Sequence, residues 1–151
     1  MFGVISYVGI CMVASGVLSA LYVITRPIHI RDEMRSWRLW AGLSVVLMIL
    51  PYAAFEVQTH TVGKEMADAA EEVIAHSDIQ GDLKYYKVLF TTGSWADVVV
   101  VGEEPNTWGG IDRPVVRAKL VREEGEWVVA SSHLVYSDNQ NVDGIVFPPF
   151  W

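Results

Sequence analysis

Apolar residues run without a charge from Phe2 to Thr25 and again from Leu39 to Phe55; beyond that the pattern breaks into short periodic stretches. The first run has 24 residues, enough to cross a hydrocarbon core of ~30 Å at about 1.5 Å per helical residue. The second has 17, at the short limit, with Trp37 and Trp40 at one end and Tyr52 and Phe55 at the other to anchor it at the interfaces. From Gln58 the periods change. Met66, Ala69, Ala70, Val73 and Ile74 fall at helical spacing opposite Glu65, Asp68, Glu71 and Glu72. Alternation then predicts strands over Tyr85–Thr91, Trp95–Val101, Val115–Arg122 and Glu126–Tyr136, paired as hairpins across Thr92-Gly-Ser94 and Glu123-Glu-Gly125. Gly102–Gly110 reads as a loop, and Asn139–Trp151 as an irregular tail. The expected fold is a two-helix transmembrane hairpin (residues 1–57, helices about 2–25 and 39–55). A small α+β domain (58–151) follows, with one helix packed on about four antiparallel strands.

Charge sharpens this division. Four arginines lie in the segment Arg26–Arg38 and none precedes it, whereas the part from Gln58 onward carries seven Lys and Arg against fifteen Asp and Glu, a formal −8. By the positive-inside rule the loop 26–38 is cytoplasmic. The N-terminus and the α+β domain then lie on the periplasmic or exoplasmic side of an integral inner (plasma) membrane. A domain so acidic is expected to repel nucleic acid and anionic headgroups. No basic residue precedes the first run, the run exceeds a signal-peptide core, and Arg26-Pro27 follows it, so it reads as a retained helix. The single cysteine, Cys11, falls inside that helix, so the domain forms no disulfide of its own.

Candidate chemistry is sparse. Neither apolar run contains an ionisable Asp, Glu, Lys, Arg or His in its middle, which argues against a proton relay or an ion path. Metal, haem and nucleotide motifs are absent, and no cofactor is expected. His29, His60, His76 and His133 read as surface residues; His133 sits on a strand in register with Trp127, Val129 and Ser131. Ser131, Ser132 and His133 lack the turn that a nucleophile needs, and neighbouring strand residues point to opposite faces. Glu71-Glu72 and Glu123-Glu124 read as solvated pairs.

Two features suit binding instead. Cys11, Ser15 and Ser19, with Gly16 and Ala20 beside them, form a small-residue stripe of the kind that lets helices approach closely. It faces either the second helix, at Ala41, Gly42 and Ser44, or another protein. The tail carries Phe147, Phe150 and Trp151 around two prolines. It packs on its own domain, dips into the membrane interface, or docks in a partner. Ser15, Gly16, Ser19, Phe147, Phe150 and Trp151 are the candidate partner-binding residues.

The order of membrane span, short helix and strand pairs ending in Arg122-Glu-Glu-Gly-Glu-Trp127-Val-Val resembles, over Ser77–Tyr136, the soluble domain of Coa1/Tim21-type membrane-anchored assembly factors. This chain departs from them in having two spans, and in carrying Ile79-Gln-Gly81-Asp-Leu83 where they have a Leu-Gly-x-Pro-Ile-like turn. The resemblance implies binding without catalysis, in the assembly of respiratory or translocation complexes. The expected function is a non-catalytic accessory subunit or assembly factor of a larger membrane complex, respiratory or photosynthetic. Its partners would be other integral membrane subunits and the lipid bilayer, with no nucleic acid. The alternative is a membrane-anchored small-ligand-binding domain or enzyme with a pocket in the α+β domain.

Overall fold

A computed structural model describes residues 2–27, 36–146 and 149. The described residues divide into two compact units, one of 2–27, 36–53 and 149, the other of 54–146. Helix α1 spans Phe2–Ile24 and helix α2 spans Ser36–Val62. Both are long and apolar enough to cross a membrane. The expected second helix, 39–55, is therefore too short at its C-terminal end. Gly63 does not stop the chain from turning; it opens a 3-10 turn, Gly63–Met66, that leads directly into helix α3, Ala67–His76.

In the first unit the two helices meet along a polar seam. Ser15 and Ser19, both buried, lie on it, and the Ser15 and Ser44 hydroxyls are 2.6 Å apart. Trp40 Nε1 donates to the Met12 carbonyl at 3.1 Å. Pro51 lies inside α2 and has no N–H for the Leu47 carbonyl four residues back. Tyr7 Oη donates to the Met48 carbonyl at 2.8 Å and to that of Leu47 at 3.3 Å, and Cys11 Sγ lies 3.7 Å from Leu47 O. The Tyr7 ring also meets Tyr52 edge-on, with centroids 5.7 Å apart.

The second unit is built on a six-stranded antiparallel sheet rather than four strands. Four are long: β1 (Asp82–Thr91), β2 (Trp95–Pro105), β4 (Val115–Glu123) and β5 (Glu126–Ser137). Two are residue pairs too short to show alternation, β3 (Ile111–Asp112) and β6 (Val142–Asp143). The order is β1-β2-β4-β5-β6, with β3 beside β2. Strand β2 thus runs four residues into the segment expected to be a loop. The β4–β5 hairpin closes on Glu124 and Gly125, whose φ values of 52° and 97° supply the two left-handed positions of a two-residue turn.

Helix α3 buries Ala69, Ala70, Val73 and Ile74 against Val98, Val100, Val116, Leu120 and Trp127 on one face of the sheet. Strand β5 departs from the expected alternation. Val129 pairs with Leu120 but Ser131 pairs with Lys119, so one residue is bulged out between them and the strand changes phase. Ser131 and His133 consequently share the face of Lys119 and Arg117, opposite to Trp127 and Val129. His133 therefore stays in phase with Ser131 but not, as the alternation predicts, with Trp127 and Val129.

Trp127 is 9% exposed, and its Nε1 is buried without a hydrogen-bond acceptor among the described residues. Packing holds the indole, together with the Arg122 guanidinium 5.7 Å from its ring centre. Trp127→Ala should cost about 3–5 kcal/mol, and Trp127→Phe much less because no hydrogen bond is lost; thermal unfolding of the domain in the full chain checks both. In the helix pair, Tyr7→Phe should cost up to about 1.7 kcal/mol, and less in a Pro51→Ala background, where residue 51 regains the N–H that satisfies Leu47. A double-mutant cycle on hairpin unfolding in detergent measures that coupling; strict additivity would contradict it.

Candidate functional site

The face of the sheet opposite α3 is the candidate site. Alternation along β1, β2 and β4, with the bulged phase of β5, sets its rows. Lys87, Val99, Arg117 and His133 lie across one row; Phe90, Asp97, Lys119 and Ser131 lie across the next. Trp95 and Val121 follow towards the hairpin turns, with Val128 beside them. Trp95, Asp97, Arg117, Lys119, Ser131 and His133 line an open cleft of about 350 Å³. The Arg117 guanidinium is forked on Asp97, Nε lying 3.0 Å from Oδ1 and Nη2 closing on Oδ2. The Lys119 ammonium stands 5.0 Å from the centre of the Trp95 ring, and Phe90 packs on Trp95 at 5.3 Å. Phe90 is 51% exposed. The cleft can therefore offer two cations, an imidazole and a hydroxyl beside an indole, with one carboxylate already engaged.

The edge of this face is set by the end of α2. Lys87 pairs with Glu56, holding that carboxyl below its usual range. Thr59 Oγ1 accepts the Val88 N–H at 2.9 Å, closing an edge-strand donor that would otherwise stay open. Tyr86 Oη donates to the Gly63 carbonyl at 3.0 Å. At the far end of the face Glu103 is held by Lys84 and lies 3.9 Å from Arg113, and the Glu103 carboxyl too is shifted down.

A second polar cluster went unseen in the sequence. Asp112 is 1% exposed. It accepts hydrogen bonds from Ser137 Oγ (2.9 Å), the Asn139 N–H (3.0 Å) and the Arg113 N–H (2.7 Å). Glu104, also buried, accepts from the Gln80 N–H and from Asn139 Nδ2, both at 2.9 Å. Burial alone would push the Asp112 carboxyl up; the donors outweigh it and hold the group below its ordinary value. The Tyr136 hydroxyl, donating to Asp138 at 2.7 Å, is pushed up to about 12. This knot fixes the turn after β5 to β2 and β3, a structural task. The only sequence signal was the turn-forming run Asp138-Asn-Gln-Asn141.

The sequence candidates fall as follows. Ser15 and Ser19 face into the helix pair, and a Cβ on Gly16 would stand 3.6 Å from Trp40 Nε1. The stripe is thus filled by α2 of the same chain. Tyr52 Oη donates to the Pro149 carbonyl at 2.8 Å, whereas Phe147, Phe150 and Trp151 lie outside the described residues, as do His29 and positions 28–35 of the basic loop. His60 sits 3.2 Å from Glu56 and His76 4.0 Å from Glu72, each within its own helix. Among the described residues no group of three His, Cys, Asp or Glu is placed to hold a metal. Comparison with family models, curated proteins and solved structures finds no match.

The Asp112 knot sets an acid limit. A carboxyl depressed in the folded state contributes stability above its unfolded pKa of about 3.9, and that contribution is lost as the pH falls through the lower folded value. The domain should therefore lose stability steeply below about pH 4. Asp112→Asn should cost about 1–3 kcal/mol at neutral pH and flatten the acid limb. Unfolding followed by circular dichroism between neutral and acid pH is the measurement; an unchanged slope in the variant would assign the acid limb to other groups.

Proposed function

We propose that this chain is a non-catalytic accessory or assembly subunit of a larger membrane protein complex, held by its helix pair and presenting its α+β domain outside the bilayer. The observation that carries this reading is the pairing, in one chain, of two helices long and apolar enough to cross a membrane with a folded α+β domain. Most of that chain is devoted to anchorage and a binding-type sheet, which suits a protein that works by docking to neighbours. An energy-converting complex, respiratory or photosynthetic, is the host this reading favours, in keeping with the resemblance to membrane-anchored assembly factors. The loop 26–38 is cytoplasmic in this reading, and the N-terminus and the domain are periplasmic or exoplasmic.

A second reading is a membrane-anchored binder of a small anionic ligand. It is favoured by Arg117, Lys119 and His133 around the cleft beside Trp95. Mild-detergent extraction and native mass separate the two. Recovery within a larger assembly supports the subunit; a lone chain carrying a metabolite supports the binder and defeats the subunit. The orientation is tested at Glu123, exposed in the β4–β5 turn. A Glu123→Cys variant should react with a membrane-impermeant maleimide in intact cells, while the buried Cys11 stays unlabelled. Reaction only after permeabilisation would reverse the topology.

A further inference from the structure

Strand β5 borders the sheet, and β6 covers only its last residues, Tyr136 and Ser137. The Gly144 N–H takes the Val135 carbonyl at 2.8 Å. From Trp127 to Leu134 no further strand among the described residues pairs with the outer side of β5. The phase of the ladder shows which backbone groups are left over. Arg122 donates to the Ser94 carbonyl at 2.9 Å, so the even-numbered residues of β4 turn their N–H and C=O to β2. Val121, Lys119 and Arg117 turn theirs to β5, where they stand opposite Val128, Ser131 and His133. Trp127, Val129, Ser132 and Leu134 therefore point their backbone groups outward. The opposite edge is handled differently: Thr59 closes the Val88 N–H, and Lys84 and Lys87 place charges on β1. On β5 the stretch Trp127–Val135 has no Asp, Glu, Lys, Arg or Pro, and Ala130, Ser131 and Ser132 are exposed. Its one irregularity is the bulge.

That bulge decides what can pair here. The outward positions are 127 and 129, then 132 and 134, with a step of three residues across the bulge and steps of two elsewhere. A strand of plain alternation matches the groups on one side of Ala130 and falls out of phase on the other. An antiparallel copy of β5 carries the same longer step in the same place. We propose that a second copy of this chain pairs with this edge, β5 against β5 about a two-fold axis between Ala130 and Ser131, joining the two sheets into one. Trp127 then stands opposite Leu134 of the second copy, and Val129 opposite Ser132 of the second copy. Glu126 falls opposite Val135, so no like charges face each other along the paired stretch. This pairing goes beyond the proposed subunit role, because it sets the number of copies in which the chain enters an assembly.

The test uses the purified full chain in detergent, its mass measured by sedimentation over about a hundredfold range of concentration. The expected mass is that of two chains at the upper end; one chain throughout would overturn the proposal. Ser132→Pro removes an outward N–H and leaves the β4 ladder intact. It should weaken the dimer at least about tenfold, the effect of leaving paired backbone groups without partners, while circular dichroism stays at wild-type values. Ser131→Lys sets two ammonium groups beside the axis and should weaken it as well. A dimer that survives both substitutions is built elsewhere, and the proposal fails. Register is read by disulfide trapping in a Cys11→Ser background. Chains carrying Val129→Cys mixed with chains carrying Ser132→Cys should cross-link, and neither should do so alone. Like positions are three residues out of register, about 10 Å at roughly 3.3 Å per residue, too far for a bridge. A dimer without the mixed cross-link would overturn the pairing of β5 with itself, whatever the proline and lysine variants do to folding.

Discussion

Pro51 takes away the N–H that the Leu47 carbonyl would receive in an uninterrupted helix, and the Tyr7 hydroxyl, 3.3 Å away, supplies a donor in its place. The same helix meets the opposite demand eight residues later, where Thr59 supplies the acceptor that the edge of β1 lacks. The requirement that backbone groups find partners thus joins α1 to α2 through Tyr7 and Cys11, and the end of α2 and the turn after it to the sheet through Thr59 and Gly63. The remaining architecture follows from those two junctions. The polar seam of Ser15, Ser44 and Trp40 keeps the helices in register, and the 3-10 turn after Val62 delivers α3 onto the sheet.

Net charge hides how the domain presents itself. An overall −8 from Gln58 onward suggested a surface that anionic headgroups would reject. The sheet distributes those charges unevenly. Arg117 and Lys119 flank the cleft centre, while the acidic stripe of α3 and the Glu123–Glu126 turn lie elsewhere. Opposite faces of one thin layer can thus interact with quite different surroundings, and an average over the sequence describes neither.

The long elements were legible because their periodicity is strong. Val73 and Ile74 point to the core on helical spacing alone, and Trp127 after a charged turn marked the start of β5. What escaped reading depends on contacts distant in sequence. The bulge between Val129 and Ser131 leaves no mark in composition, yet it moves His133 to the other face. The sequence left open a continuation of α2 beyond the apolar run and Gly63 weighed against it; the helix does run on to Val62, and Gly63 only tightens it into a 3-10 turn before α3. The Asp112 knot gathers residues from β2, β3, β5 and two turns, and its carboxylate reads in sequence as one more exposed acid. The stripe of small residues was visible; that Ser44 and Trp40 of α2 lie against it depends on pairing between residues distant in sequence.

The bulge in β5 is a slack residue. Removing Ala130 would restore plain alternation, with Val129 and Ser131 on the faces they already occupy. Strand β2 pairs with β4 without a bulge, so removing one residue there would turn every side chain beyond the cut to the other face. Chain length is therefore tolerant in one strand and exact in another of the same sheet.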